Sequence, residues 1–225
     1  MIDFNKLIDS YLFRKYRPKK IGRYYPSECG SCLRKVWYSY KYPQELKPDL
    51  IRIFEMGNIL HDFVVEVLMS KKTPDIELLK WEFPVKLDMK DFKVSGRVDD
   101  LILIKASGKT YLVEVKSCRF LKYIKKPQNH HLMQIQLYMH ATGIHNGILL
   151  YIEKSGLQSK VFEIKFDADV VKEALNRFNE LHDCLITNNI PEAEARVKKD
   201  IEWMCNLCEY RDRCFKETPR VHHSG

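Results

Sequence analysis

The sequence predicts an α/β protein in which a mixed central β-sheet is flanked by helices. Three observations predict this class. Helical periodicity dominates residues 3–69, strand-length runs rich in β-branched and aromatic residues follow at 81–117, and a helical pattern at 127–142 separates these runs from two more strands. Because a helix allows a crossover to a parallel neighbour and a short turn joins antiparallel strands, the sheet is expected to contain both kinds of pairing.

The N-terminal helices come first in the chain. Apolar residues at three- and four-residue intervals predict a short helix over residues 3–16 and a second one over 31–40. An apolar stripe from about residue 50 to residue 69 predicts a longer amphipathic helix, which includes Gly57 and His61. These helices are expected to pack on the sheet through their apolar faces.

The rest of the chain is predicted to contain strands at 81–88, 94–104, 110–117, 148–153 and 161–166, and helices at 127–142 and 167–187. Residues 106–109 have the composition of a turn between the second and third strands. If that turn is a two-residue hairpin, Asp99 faces Lys116 across the strands. Glu114 is then the diagonal neighbour of Asp99 on the same face, and Asp100 points to the other face.

An acidic pair and a lysine on these adjacent strands are the main chemical signal. Asp99 ends the run Gly-x-x-Asp, and Glu114 and Lys116 form Glu-x-Lys. Two converging carboxylates repel each other, and a divalent cation with oxygen ligands relieves that repulsion. Such a cation polarises a phosphoryl oxygen and lowers the pKa of bound water, and a neighbouring lysine offsets the charge that develops. The alternative is a surface Glu–Lys pair, which contributes at most about 1 kcal/mol.

His61, Gln134 and Tyr138 lie at positions that are compatible either with a functional site or with the packed face of an ordinary amphipathic helix. His61 falls on the apolar stripe of its helix, where a histidine is commonly a core residue. Gln134 and Tyr138 are four residues apart and therefore share one face of their helix.

Taken in chain order, Gly57-x-x-x-His61, Gly-x-x-Asp99, Glu114-x-Lys116 and Gln134-x-x-x-Tyr138 resemble the motifs of the RecB-like nucleases of the PD-(D/E)XK superfamily. The resemblance extends from about residue 30 to residue 214 and implies a restriction-endonuclease-like core. It also implies a role for each motif residue: His61, Asp99 and Glu114 bind Mg²⁺ or Mn²⁺ with the Val115 carbonyl, Lys116 serves catalysis, and Gln134 and Tyr138 position DNA and the lysine.

The cysteines refine this resemblance. One early cysteine, Cys32, precedes the core, and the last three cysteines of the sequence form the motif Cys205-x-x-Cys208-x₅-Cys214. In an intracellular chain, clustered cysteines indicate metal ligands rather than disulfides. The pattern resembles the iron–sulfur subgroup that includes CRISPR-associated RecB-like exonucleases, although Leu33 stands where that family usually has proline. The resemblance implies that these four cysteines ligate an iron–sulfur cluster, 4Fe–4S rather than 2Fe–2S.

A structural zinc ion is the alternative to the cluster. Cys29-x-x-Cys32 together with Cys205-x-x-Cys208 has the spacing of a tetrahedral zinc site and leaves Cys214 over. The additional Cys29 therefore leaves the choice of the fourth ligand open. Either metal would join the N- and C-terminal segments of the chain.

The resemblance implies one nuclease domain over residues 1–225. Within it we expect a helical and basic N-terminal segment at 1–49 that carries the first cluster cysteine, a nuclease core at 50–190, and a Cys-rich cluster segment at 191–225.

The charge of the chain is compatible with a nucleic-acid partner. Lys and Arg outnumber Asp and Glu by 38 to 30, which gives a net charge of +8 and favours either a polyanion or a solvated charged surface. Basic residues at 14–23 are interleaved with Tyr16, Tyr24 and Tyr25, whose rings can stack on unpaired bases. DNA contact is expected from Lys122, Lys125 and Lys126, in the loop after the Glu-x-Lys strand, and from Tyr138.

No membrane partner is expected, because the sequence has no apolar run of about 18 residues. The N-terminus also lacks the features of a secretory signal, so a cytoplasmic location is expected.

These observations favour a metal-dependent deoxyribonuclease that acts as an exonuclease on single-stranded ends, with endonuclease activity left open. The resemblance suggests that it processes DNA for CRISPR spacer acquisition alongside the integrase, and it is compatible with a homo-oligomer. One alternative is a viral or DNA-repair nuclease of the same subgroup. The other is a non-catalytic, zinc-containing DNA-binding subunit, which would not need Lys116.

Overall fold

The computed structural model describes residues 1–13 and 18–217. Tyr16 and the basic residues at 14, 15 and 17, together with residues 218–225 of the predicted cluster segment, lie outside the described residues. The helices are α1 (Phe4–Leu12), α2 (Leu33–Lys41), α3 (Pro48–Met69), α4 (Asn129–Thr142), α5 (Ala168–Ile186), α6 (Glu194–Val197), α7 (Trp203–Asn206) and α8 (Arg211–Glu217). The strands are β1 (Arg23–Tyr24), β2 (Ile76–Asp88), β3 (Lys93–Ile104), β4 (Lys109–Cys118), β5 (Asn146–Glu153) and β6 (Ser159–Lys165).

The strands form one mixed sheet, as the sequence predicts. Its order is β1-β3-β4-β5-β6, and β2 pairs with β3 as well. The β1–β3 and β4–β5 pairs are parallel and the others antiparallel. Helix α4 supplies the crossover that a parallel β4–β5 pair requires.

Two different strands, β1 and β4, pair with the same edge of β3, each over a separate stretch of it. Strand β2 pairs along one edge from Lys93 to Ile104. On the other edge, β1 pairs only with Lys93 and Val94, and β4 pairs only from Asp100 onwards. Within the described part of the chain, the stretch of β3 between them has no strand partner on this edge, and it ends at Asp99.

The predicted register of the β3–β4 hairpin is wrong. The structure pairs Ile104 with Lys109 and Asp100 with Val113, so the loop has four residues rather than two. Gly108 adopts φ +64° in this loop and donates its N–H to the Ile104 carbonyl. The register therefore shifts by two residues, which keeps every side chain on its predicted face. The ladder stops at the Asp100–Val113 pair, so Asp99 is paired with neither Glu114 nor Lys116.

The two faces of the sheet are covered by different helices. On one face, Ile135 of α4 packs with Leu112 of β4 and Leu149 of β5. On the other face, Leu60 and Val64 of α3 pack against Ile152 and Val115. Strands β3 and β4 therefore lie between α3 and α4, and side chains from both helices reach their ends. Among the described residues, no helix combines the length and apolarity that a membrane crossing requires.

The element boundaries differ from the prediction mainly where patterns are short. Strand β2 begins at Ile76, five residues before its predicted start at 81, and carries a register shift between Leu78 and Lys80 that interrupts its alternation. Strand β1 has two residues and is too short to give a periodic signal.

Candidate active site

The two predicted carboxylates meet where the β3–β4 ladder stops, near the middle of both strands. Asp99 is the residue of β3 next to the last β4 ladder pair, Asp100–Val113. Its Oδ2 atom accepts the backbone N–H of Val115 at 2.8 Å, so a side chain replaces a strand partner at this point. Glu114 directly precedes Val115 on β4, and the Glu114 side chain is 2% exposed.

Lys116 is held between a carboxylate and an amide. Its Nζ atom donates to Glu114 Oε1 at 2.6 Å and to Gln134 Oε1 at 3.1 Å. Gln134 in turn donates from Nε2 to the same Glu114 oxygen at 2.7 Å and to the Tyr138 hydroxyl oxygen at 3.2 Å. Because Gln134 and Tyr138 are one turn apart on α4, both reach the same end of β4. The structure thus assembles four of the predicted site residues in one hydrogen-bonded network.

His61 and Asp100 meet on the other face of the strands. His61 lies on α3 beside the buried Leu60, and its Nε2 atom is 3.5 Å from Oδ1 of the fully buried Asp100. The predicted ligand set of His61, Asp99 and Glu114 does not include Asp100, whose carboxylate is the one that His61 contacts in the structure. The adjacent Asp99-Asp100 pair was the available signal, because alternation sends one of them to each face.

Burial and mutual repulsion set the pKa values of the site. Burial and the neighbouring Asp99 carboxylate together raise the pKa of Glu114 to about 8, although Lys116 opposes them. Burial also raises the pKa of Asp99. Burial by itself lowers the pKa of Lys116, but Glu114 and Asp99 more than offset this, so the net shift is upward and the amine stays charged.

The donor atoms have the chemistry of a divalent-cation site. Glu114 Oε2 and both Asp100 carboxylate oxygens are buried without a hydrogen-bond partner among the described residues, and so is His61 Nε2. Such orphaned atoms are costly unless something binds them. As the side chains stand, however, no group of three or more His, Cys, Asp or Glu residues in 1–13 and 18–217 is arranged to hold a metal ion. The donors therefore suit Mg²⁺ or Mn²⁺ in kind, and binding requires side-chain adjustment.

The four predicted cluster cysteines line a single cavity. Cys32, Cys205, Cys208 and Cys214 surround about 20 Å³ of space between the segment before α2 and helices α6–α8, enough for one ion or water molecule. Burial raises the pKa of Cys208 to about 11 and also raises that of Cys205, where Cys32 and Cys214 add to the shift. The thiols of Cys205 and Cys208 are thus protonated until a metal displaces the protons.

Cys29 does not line this cavity. It is buried in the core with Tyr24 and Leu33, and burial raises its pKa to about 12. Its carbonyl accepts a hydrogen bond from Arg177 Nε. Its position favours Cys32 over Cys29 as the fourth cluster ligand.

The predicted DNA-contacting lysines lie at the surface. Lys122, Lys125 and Lys126 are exposed in the connection between β4 and α4. The Lys122 Nζ atom lies 5.1 Å from the centroid of the Tyr123 ring. The predicted stacking residue Tyr24 is not available, because it is fully buried and its hydroxyl is hydrogen-bonded to His182 Nδ1.

Comparison with known proteins gives consistent matches. The chain matches the PD-(D/E)XK nuclease superfamily over residues 27–215. It is 25% identical over 201 residues to the CRISPR-associated exonuclease Cas4 of Saccharolobus solfataricus, which covers 87% of this chain and 89% of that protein.

Solved structures match over similar lengths. The crystal structure of SSO0001 superposes with a TM-score of 0.67 at 21% identity and covers 96% of this chain and 97% of its own. The alkaline exonuclease LHK-Exo from Laribacter hongkongensis has a TM-score of 0.53 at 14% identity, with 88% and 96% coverage. At these identities the two structures support the fold and say nothing of substrate.

Proposed function

The chain belongs to the PD-(D/E)XK nuclease superfamily, and from that premise we propose that it is a metal-dependent deoxyribonuclease. It acts as an exonuclease on single-stranded DNA ends and has some endonuclease activity. The observation that carries this proposal is the state of Glu114. One of its oxygens binds Lys116 and Gln134, whereas the other is buried beside Asp99 with no hydrogen-bond partner among the described residues. In a purely structural ion pair, both buried carboxylate oxygens would be expected to have hydrogen-bond partners.

Asp99, Glu114, the Val115 carbonyl and His61 would hold Mg²⁺ or Mn²⁺. The bound cation supplies a polarised phosphoryl oxygen and a more acidic water. The unpartnered Glu114 Oε2 atom and the carboxylate donors, which suit hard cations, support this set, and His61 Nε2 would exchange its 3.5 Å contact with Asp100 for the cation.

The remaining site residues are Lys116, which compensates the negative charge of the phosphoryl group, and the two residues that position this lysine. Lys116 stays protonated and stands where negative charge develops on the phosphoryl group, and it is preorganised by its bonds to Glu114 and Gln134. Tyr138 supports Gln134 through a 3.2 Å hydrogen bond and lies next to the DNA path. Both helix residues are therefore positioning residues for Lys116.

The test is cleavage of single-stranded DNA in Mg²⁺, in Mn²⁺ and in EDTA. End-labelled linear strands report exonuclease activity, and circular single strands report endonuclease activity. We expect cleavage in either metal, loss of cleavage in EDTA, and faster degradation of linear than of circular DNA. Equal cleavage in EDTA would contradict the proposal.

We also propose that Cys32, Cys205, Cys208 and Cys214 hold a 4Fe–4S cluster. Their common cavity and its four sulfur donors support the proposal. The cavity volume of about 20 Å³ suits a single zinc ion, and a cluster would need the four cysteine side chains to move apart, so the two must be separated by measurement. Anaerobically purified protein should contain iron and sulfide in stoichiometric amounts, whereas stoichiometric zinc without iron would contradict the cluster.

The biological role that we propose is the processing of DNA for CRISPR spacer acquisition, alongside the integrase. Similarity to the CRISPR-associated exonuclease Cas4 over 87% of the chain supports it. The test is copurification with the integrase of the same genome and a spacer-acquisition assay with and without this chain. A nuclease that leaves acquisition unchanged would instead belong to a viral or repair context.

Self-association is proposed from the surface of α1 and α3. Both helices expose large apolar side chains, among them Phe4 and Tyr11 on α1 and Phe54 and Ile59 on α3. Adjacent exposed apolar groups of this kind mark interaction surfaces. A mass measured by light scattering that equals the monomer at all concentrations would contradict self-association.

A further inference from the structure

An open groove leads away from Asp99 along the part of β3 that has no strand partner between β1 and β4. Its volume is about 890 Å³, and Asp99 and Tyr138 line it together with three basic side chains and one tyrosine: Arg23, Lys86, Arg97 and Tyr25. Lys86 and Arg97 are not among the lysines that the sequence predicts to contact DNA.

Arg23 is held in place and still has binding capacity. Its Nε atom donates to Ser95 Oγ at 3.0 Å, and its guanidinium carbon lies 5.8 Å from the centroid of the Tyr25 ring. Its two Nη groups have no hydrogen-bond partner among the described residues. A guanidinium fixed through Nε and open at Nη suits an anionic oxygen acceptor such as a phosphate.

Arg97 has only a weak partner. Its Nη1 atom lies 3.5 Å from Glu82 Oε2, and the two side chains are 66% and 53% exposed. An exposed pair of this kind contributes little to stability. A phosphate can therefore displace Glu82 from Arg97 at small cost.

Tyr25 offers a flat apolar surface beside these cations. It is half-buried, it directly precedes Pro26, and its ring stacks under Arg23. The groove floor beneath it is narrow, because a Cβ atom added to Gly96 would lie 2.9 Å from Pro26 Cδ and 3.2 Å from the Tyr138 hydroxyl oxygen. An aromatic ring next to a guanidinium is the usual platform on which an unpaired base stacks.

We infer that this groove carries the strand being cut: Arg23 and Arg97 bind backbone phosphates of single-stranded DNA, and Tyr25 stacks on one of its unpaired bases. The inference rests on the proposed nuclease function and adds the path of the substrate. Arg23 pairs in register with Lys93, six residues before Asp99 on β3. That separation is roughly 20 Å along an extended strand. A single strand whose bases stack as they do in duplex DNA, at about 3.4 Å per nucleotide, needs about six nucleotides to span it.

Binding measurements in EDTA test the inference without cleavage. The probe is a fluorescent oligothymidylate of roughly 20 nucleotides, longer than the usual single-strand sites. We expect Arg23→Ala and Arg97→Ala each to raise Kd about tenfold. We expect the double variant to reduce the salt slope of log K by about 1.4, since each single-strand phosphate contact contributes about 0.7. Glu82→Gln should tighten binding, because it removes the carboxylate that competes for Arg97.

Two controls separate binding from folding. Lys105→Ala removes an exposed cation in the β3–β4 turn and should leave Kd unchanged. Tyr25→Phe keeps the ring and should bind like the wild type, whereas Tyr25→Leu should bind several-fold more weakly. If Arg23→Ala lowers the melting temperature, Arg97→Ala carries the test, because the contact of Arg97 recorded among residues 1–13 and 18–217 is the exposed one with Glu82.

Substrate length provides the second readout. In Mn²⁺, Arg23→Ala should raise KM about tenfold on the long oligonucleotide and leave the cleavage of a trinucleotide unchanged, because a trinucleotide does not reach Arg23. If the wild type cleaves DNA but the arginine variants bind and cleave as it does, the groove assignment is wrong and the proposed function stands. If the wild type neither binds nor cleaves DNA, both fail.

Discussion

At the scale of single residues, the site depends on one amide that satisfies two opposite charges. Gln134 accepts a hydrogen bond from Lys116 and donates one to the Glu114 oxygen that Lys116 also binds. A leucine of similar size can do neither. Gln134 therefore fixes the angle at which the lysine approaches the substrate, although it carries no charge itself.

The first prediction compares the loss of the Gln134 amide with the loss of the Tyr138 hydroxyl group that it contacts. Gln134→Leu should lower kcat about a hundredfold and leave KM and DNA binding nearly unchanged, because it disorders a preorganised cation without touching DNA. Tyr138→Phe removes only the 3.2 Å hydrogen bond and should cost at most about tenfold. Steady-state kinetics on end-labelled DNA measure both. Equal losses in the two variants, or losses in KM alone, would contradict the assigned positioning role.

At the scale of elements, two glycines of the motifs have different physical roles. A Cβ on Gly57 of α3 would lie 3.9 Å from Ser117 Oγ, an ordinary contact, whereas one on Gly96 of β3 would lie 2.9 Å from Pro26 Cδ. The first glycine is tolerated in a helix interior at a cost, and the second is required by the packing of Pro26 and Tyr138 against β3. The two motif glycines therefore differ: alanine fits at position 57, whereas there is no room for a Cβ atom at position 96.

The second prediction follows from that contrast. Gly57→Ala should stabilise the protein by about 0.5–1 kcal/mol, because alanine favours the helix. Gly96→Ala should destabilise it by about 1–3 kcal/mol through overpacking. Urea unfolding of the metal-free variants measures both free energies. A destabilising Gly57→Ala would mean that α3 approaches β4 more closely than the structure has it.

The elements of this fold were largely predictable, and their register was not. Strands and helices with long periodic patterns, such as α3 and α5, lie within a few residues of their predicted bounds. The β3–β4 turn was misjudged because its composition fits both a two-residue and a four-residue loop, and only the left-handed Gly108 distinguishes them. Asp99 and Glu114 nevertheless come together, because Asp99 Oδ2 accepts the backbone N–H of Val115, the residue after Glu114.

At the scale of the whole molecule, a buried ion pair joins segments that are distant in the sequence. Arg177 of α5 donates to both oxygens of Glu194, at 2.7 and 2.9 Å, and to the Ser31 carbonyl at 2.8 Å. Glu194 also accepts the Leu33 N–H at 2.9 Å. These contacts hold the segment that carries Cys32 against the C-terminal segment. They were not predictable, because nothing in the sequence relates Arg177 to a loop 146 residues away.

The third prediction concerns the acid stability of this pair. Burial raises the pKa of Glu194, but hydrogen bonds from Arg177 and Leu33 outweigh it and lower that pKa to about 2 from an ordinary value of 4.5. A lowered carboxyl pKa stabilises the fold above about pH 4.5, and this contribution is lost as the pH falls towards 2.

Unfolding by urea at two pH values measures that contribution. Glu194→Gln should lower the free energy of unfolding by about 3 kcal/mol at pH 7 and by clearly less at about pH 3. Lys198→Ala is the matched control, because Lys198 is a more exposed partner of the same carboxylate and should cost less than about 1 kcal/mol. A Glu194→Gln effect that does not change with pH would contradict the assignment.

The central claim is that Glu114, beside Asp99 and Lys116, belongs to a phosphodiester-cleaving site. Single-turnover cleavage of end-labelled single-stranded DNA in Mn²⁺ tests it most directly, with Glu114→Ala compared with Glu163→Ala, which removes an exposed carboxylate on β6. The predicted result is a loss of at least about a hundredfold in the Glu114 variant, DNA affinity close to that of the wild type, and no loss in the Glu163 variant. A Glu114→Ala protein that cleaves at the wild-type rate would contradict the claim.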